Sequence, residues 1–199
     1  MLGRRDGQAA VSRADALANA RDIVAATSLP VSADLEDGYG ADPDACAETV
    51  RLAAAAGLCG CTIEDTTGDP ASPIHGFDAA RAAPHPFVLT ARAENFLHGR
   101  PDLDDTVRRL VAFAQAGADC LYAPGLPDLD AVRAVCAAVT RPVNVLATDP
   151  AWTVAALREA GVRRISVGGS LARVALGALD RAAGQLVAGS FGYLADGMP

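Results

Sequence analysis

The sequence predicts an α/β fold in which a parallel sheet is covered by helices. Two observations carry the prediction. Short apolar runs alternate with alanine-rich segments at a repeat of roughly 25 to 30 residues, the βα rhythm of a parallel sheet. Polar residues then gather where the runs end, and the carboxyl ends of parallel strands are where such sheets place their chemistry. The chain has 199 residues, 51% of them hydrophobic. That is material for a sizeable core, and one domain over residues 1–199 is the simplest count.

The elements follow in order. Residues 13–26 place apolar side chains at 16, 17, 20, 23 and 24, the spacing of one helix face, with Ser12 as the cap. A strand is expected over Val31 to Leu35. Asp42-Pro43-Asp44 then opens a helix that stops at Gly57, with proline in the first turn and glycine past the end. The strand Gly60 to Glu64 precedes a polar loop over 66–76 and a short helix at 77–83. Phe87 to Arg92 is the third strand. The pattern repeats with helix 102–116 before Gly117, strand 119–123, helix 127–139, strand 142–146, helix 150–160 before Gly161, and strand 164–167. Gly168-Gly169-Ser170 reads as a tight turn in which Ser170 caps a last helix reaching about residue 188.

The stretch Pro30-Val31-Ser32-Ala33-Asp34-Leu35-Glu36-Asp37-Gly38-Tyr39-Gly40 carries the first chemical hint. If the strand runs to its end, alternation turns Asp34 and Glu36 to one face and Leu35 and Asp37 to the other. Two carboxylates on one face repel unless a cation joins them, and magnesium favours a site of one or two carboxylates completed by water or substrate oxygen. Glu64, Arg92 and Asn144 also lie at or near strand ends, so Asp34, Glu36 and Glu64 form the candidate metal set. Arg92 has a second reading, a structural ion pair with Glu64 or Glu94.

Charge narrows the function further. A net charge of -7 argues against a nucleic-acid surface, which needs a basic patch. No apolar stretch approaches the roughly 18 residues of a membrane span, and the amino end has no signal-peptide core, so a cytoplasmic protein without membrane contacts is expected. All 17 positive side chains are arginine, which excludes a catalytic lysine. The five cysteines form no Cys-x-x-Cys pair and are expected as reduced thiols. His75, His85 and His98 read as loop residues, and Tyr122 and Trp152 as packing.

The order of motifs resembles the isocitrate lyase and phosphoenolpyruvate mutase superfamily over nearly the whole chain. The carriers are the acidic stretch quoted above, Ile63-Glu64-Asp65, Leu89-Thr90-Ala91-Arg92-Ala93-Glu94, Ala116-Gly117-Ala118-Asp119, Pro142-Val143-Asn144-Val145 and the segment from Gly161 to Gly169. The resemblance implies a (β/α)8 barrel and a magnesium-dependent lyase, hydrolase or mutase, with manganese as a substitute cation. Such an enzyme makes or breaks a carbon-carbon or carbon-phosphorus bond beside an α-oxo or α-hydroxy carboxylate, through an enolate-like intermediate. It further implies that Asp34, Glu36 and Glu64 hold the metal and that Arg92 grips the substrate carboxylate, with Asn144 also at the substrate. Asp6 matches an aspartate at the barrel mouth. A homo-oligomer is expected.

The departures from that pattern are specific. Where relatives carry a loop with a lysine acid, this chain reads Thr66-Thr67-Gly68-Asp69-Pro70. Cys59 and Cys61 are expected to face the helices, so neither replaces the acid. Neither Glu nor His stands at Pro124-Gly125. Counted against the barrel, Pro30 to Leu35 is the third strand, so the expected fold is incomplete, with about six strands, beginning near the helix after strand 2. Two other functions stay open: a non-catalytic family member that keeps the metal site, and a metal-dependent pyruvate aldolase.

Overall fold

A computed structural model describes residues 11–40, 43–65, 86–195 and 197. Among the described residues there are six α-helices and six strands, in the order α1 Arg13–Ala25, β1 Ser32–Asp34, α2 Pro43–Ala55, β2 Gly60–Glu64, β3 Val88–Arg92, α3 Leu103–Ala116, β4 Cys120–Tyr122, α4 Leu129–Ala138, β5 Val143–Leu146, α5 Val154–Glu159, β6 Arg164–Ser166 and α6 Ser170–Val187, followed by a 3-10 turn at Gly192–Ala195. The strands form one sheet in chain order, every neighbouring pair parallel. The sheet curls into a half-barrel, because the Arg164 side chain on β6 reaches Thr90 on β3 and Ser32 on β1. The incomplete barrel expected from the sequence is therefore the observed architecture.

The two-residue period of the strands separates the two faces of this sheet. Leu35, Cys61, Ile63, Leu89, Ala91, Leu121, Val143 and Val145 face the helices and are buried with Val50, Ala53, Leu110, Phe113, Val132, Val135 and Leu157. Cys61 thus packs on the helix side as expected, and Cys59 is exposed. The concave face carries hydroxyls, amides and charges instead. Gly60 is needed at the start of β2, where an added Cβ would fall 2.5 Å from the Val88 carbonyl oxygen of the neighbouring strand.

Local chemistry sets the helix ends. Ser12, Asp102, Asp128 and Thr153 each accept a hydrogen bond from the backbone N–H three residues on, at 2.8–3.1 Å, satisfying donors that a helix start leaves open. Gly117 closes α3 in the left-handed conformation, φ 111°.

Three expectations change. The fifth helix begins at Val154 rather than at 150, because Thr153 supplies the cap that Pro150 cannot. Ser170 is the first residue of α6 and not its cap; Gly169 stands at that position with no side-chain bond. β1 stops at Asp34, before Leu35. The short helix at 77–83 lies outside the described residues.

Helix α6 contributes no buried residue among those described, and Leu171, Val174 and Leu179 are exposed on it. No helix of the described residues is long and apolar enough to cross a membrane. Phe113, where α3 meets the sheet, is the largest of the fully buried side chains among the described residues. Truncating it as Phe113→Ala is expected to cost about 3–5 kcal/mol, read as a lowered midpoint in urea denaturation at an unchanged slope.

Candidate active site

The acidic stretch leaves the strand in a fixed turn. Leu35 sinks into the core while its N–H donates to the Thr62 carbonyl at 3.1 Å. The next residue, Glu36, takes a positive φ of 51°, and Tyr39 one of 61°, conformations that cost free energy for residues with large side chains. Glu36 N–H donates to Asp34 Oδ1 at 3.2 Å, and the Glu36 carbonyl accepts from Glu64 N–H at 2.8 Å. Gly38, at φ 82°, passes so close to α2 that a Cβ would meet Cys46 Sγ at 2.6 Å, and its carbonyl accepts from Thr49 Oγ1 at 2.6 Å. The expected shared face of Asp34 and Glu36 does not form by alternation, since the strand has ended before Glu36.

Arg92, the last residue of β3, joins the strand ends. Its Nη1 lies 2.6 Å from Asp34 Oδ2 and 2.5 Å from Glu64 Oε1, and its Nε lies 2.7 Å from Glu94 Oε1. The guanidinium stands 5.1 Å from the centre of the Tyr122 ring, within cation–π range. Both ion-pair partners considered from sequence are therefore present, with Asp34 as a third. One cation does not neutralise this many carboxylates. Burial and then the charge of Asp34 push the Glu64 carboxyl up to about 8, against the downward pull of Arg92. Burial also raises Glu94.

A bracket beneath the cluster keeps it in register. Asp65 N–H donates to the Arg92 carbonyl at 3.1 Å, and Asp65 Oδ1 accepts from Glu94 N–H at 2.7 Å. Its other oxygen pairs with Arg109 of α3 at 2.9 Å, and Arg109 pairs with Asp105 at 2.7 Å. The ends of β2 and β3 are thereby tied to each other and to a helix.

Below Arg92 the concave face encloses a cavity of about 310 Å³ lined by Asp34, Thr62, Thr90, Arg92, Tyr122, Asn144, Leu146, Arg164, Ser166 and Gly168. Asn144 donates to Ser166 Oγ at 3.0 Å, while its Oδ1, buried, has no hydrogen-bond partner. The structure thus brings together Asp34, Arg92 and Asn144 around one space, with Glu64 joined to them through Arg92. Among the described residues no three His, Cys, Asp or Glu side chains gather as a metal cage. Glu36 joins the group through its bond to Glu64 and through its charge. Asp6, His75, His85 and the segment Thr66 to Pro70 lie outside the described residues; His98 is exposed in the loop after β3.

Sequence reasoning assigned Tyr122 to packing and passed over Thr90, Arg164 and Ser166. The signal for them existed. Glu64, Arg92, Tyr122, Asn144 and Arg164 follow one another as register partners across five strands, and Thr90 and Ser166 lie two residues from members of that row on the same strand faces.

The family model for phosphoenolpyruvate phosphomutase matches residues 1–187. The chain belongs to the isocitrate lyase and phosphoenolpyruvate mutase superfamily. Among solved structures of similar fold, a Burkholderia cenocepacia protein whose name places it among lyases or mutases is 50% identical, with a TM-score of 0.87 over 95% of this chain and 73% of that one. A phosphonopyruvate hydrolase in complex with oxalate and magnesium is 25% identical, with a TM-score of 0.79 over 95% of this chain and 72% of that one. An oxaloacetate decarboxylase of Rhodopseudomonas palustris is 34% identical over 148 residues, 66% of this chain. The chain spans 49% of the length of that curated relative. The superfamily acts on oxo-acid substrates by lyase, hydrolase and mutase chemistry, as the names of these relatives reflect.

In this superfamily member the raised Glu64 carboxyl links stability to pH. A carboxyl that titrates at 4.5 in the unfolded chain and at about 8 in the fold holds its proton more tightly when folded. The linked stability is therefore full at low pH and is lost as pH rises through that interval. The metal-free protein is expected to lose stability to urea from pH 4.5 to about 8, and Glu64→Gln to flatten that slope. Urea titrations at stepped pH check both.

Proposed function

We propose that this chain carries the metal- and carboxylate-binding core of an enzyme that breaks or forms a C–C or C–P bond next to an α-oxo or α-hydroxy carboxylate. The observation that carries the reading is the shared hold of Asp34 and Glu64 on one nitrogen of Arg92, at adjacent strand ends above a polar cavity. These residues fit a hard divalent cation. Their donors are carboxylate oxygens, the ligands magnesium takes, and the raised Glu64 carboxyl marks a cluster short of positive charge. Asp34 and Glu64 would hold the ion, with Glu36 beside them. When bound, magnesium would act as a Lewis acid toward the oxygen on which negative charge develops.

The chain's own residues do the rest. Arg92 presents a planar fork suited to a substrate carboxylate. When that carboxylate takes the fork, Asp34 and Glu64 are released from the guanidinium as oxygen ligands. Tyr122 beneath Arg92 and the Asp65–Arg109 bracket restrict the fork's orientation, so little reorganisation remains at the moment of reaction. Asn144 offers its unpaired Oδ1 to a hydroxyl on the substrate. An enolate-like species, with its charge spread between carbon and oxygen, suits a site that pairs a cation with a fixed guanidinium. We propose a homo-oligomer as the working form, with the exposed apolar side chains of α6 as its support.

Calorimetric titration with magnesium and oxalate, a mimic of the enolate, tests the reading. Micromolar binding is expected, abolished by Asp34→Ala and weakened by Arg92→Lys through loss of the fork. No heat at millimolar ligand would overturn it. Condensation of pyruvate with an added aldehyde to the aldol product would move the assignment to an aldolase, and tight oxalate binding without turnover of any oxo acid would move it to a non-catalytic metal-binding protein.

A further inference from the structure

We infer that Arg164 is a second anion-binding residue of this cavity, one that grips the far acidic group of the substrate and so selects ligands that carry such a group. The inference rests on the proposed function for the near end of the substrate, and adds a residue that the metal and Arg92 chemistry does not use.

Arg164 opens β6, and its side chain crosses the concave face. Nη1 donates to Thr90 Oγ1 at 2.7 Å, and Nη2 reaches Ser32 Oγ at 3.5 Å. The side chain also lies against the Cys120 thiol, whose pKa burial raises and Arg164 lowers. These partners are all uncharged. Arg92 pairs with three carboxylates and Arg109 with two, but no carboxylate pairs with Arg164 among the described residues. A guanidinium has five N–H donors, and hydroxyls accept hydrogen bonds without balancing its charge. A half-buried cation in this state is costly until an anion joins it.

The placement fits a small diacid. Thr90 and Arg92 project from the same face of β3 two residues apart, a step of about 7 Å. The Arg164 guanidinium, held at Thr90, therefore sits about one such step deeper than the Arg92 strand position, and both residues line the same cavity. A four-carbon chain with an acidic group at each end spans a comparable length. Between the two arginines, the buried Asn144 Oδ1 lacks a donor, so a hydroxyl on the connecting carbons has an acceptor waiting. A carboxylate or a phosphonate takes the Arg164 fork equally well.

The test compares three probes by calorimetry on the magnesium-loaded and the metal-free protein. Oxalate reads the near end alone. Malate and 2-hydroxybutyrate share the hydroxy acid and differ in the far carboxylate. Malate is expected to bind more tightly than 2-hydroxybutyrate by roughly tenfold to a hundredfold, the range of a charged hydrogen bond. Arg164→Gln is expected to erase that preference while leaving oxalate affinity unchanged, and Arg164→Lys to restore part of it. Equal weakening of all three probes in Arg164→Gln, or a preference for malate that survives it, would overturn the inference. If Arg164→Gln does not fold, Arg164→Lys is compared with the parent protein on the same ratio, and an undiminished ratio counts against the inference. Absent oxalate binding in the parent protein would sink the proposed function instead, with the malate ratio in the metal-free protein still deciding the role of Arg164.

Discussion

The hold of the Arg92 guanidinium on the carboxylates around it is the interaction on which the rest of the site depends. Asp34 closes β1, Glu64 closes β2 and Glu94 follows β3, so three segments that share no local sequence converge on one cation. Taking these groups from water is expensive, and removing one partner of such a cluster leaves charge uncompensated. The cluster therefore adds to the sheet's hydrogen bonds in setting the relative heights of three strand ends. Its balance is also incomplete, as the raised carboxyls of Glu64 and Glu94 show. The cluster thus holds more negative than positive charge, the electrostatic feature on which the proposed metal-binding role rests.

The curled sheet makes this convergence possible. One face of each strand is spent on the apolar contact with the helices, and the other is free to carry hydroxyls, an amide and two arginines toward a common axis. Curvature brings β6 within reach of β3 and β1, so residues far apart in the flat order of strands line one cavity. The Asp65–Arg109 bracket ties that polar face back to the helix layer. Strain at Glu36 and Tyr39 is held by the contact of Gly38 with α2, which lets the chain turn sharply at the acidic mouth.

Much of this was legible in the sequence. The alternation of apolar runs with capped, glycine-terminated helices predicted the order and type of the six described strands and six described α-helices, because strand and helix periods and caps are local properties; the 3-10 turn at Gly192–Ala195 was not predicted. Acids and arginine at strand ends pointed to Asp34, Glu64 and Arg92, and the superfamily followed from those motifs in order. Local rules failed in fewer places. Thr153 outcompeted Pro150 as a helix start, and Gly169 took the position assigned to Ser170. β1 ended one residue earlier than its apolar run, because Glu36 adopts a left-handed turn held by its hydrogen bonds to Asp34 and Glu64 and by the close approach of Gly38 to α2.

By itself, then, the sequence determined the α/β order, the helix-side face of Cys61 and Ile63 on β2, and the residue types that could do chemistry. Those properties depend on periodicity and capping, which act over a few neighbouring residues. Register and curvature belonged to the tertiary structure alone. They decided that one nitrogen of Arg92 serves both Asp34 and Glu64, that Tyr122 lies beneath Arg92 rather than in the helix-side core, and that Arg164 reaches across the sheet to Thr90. Each of these is a contact between strands whose separation along the chain is too great for any local pattern to record.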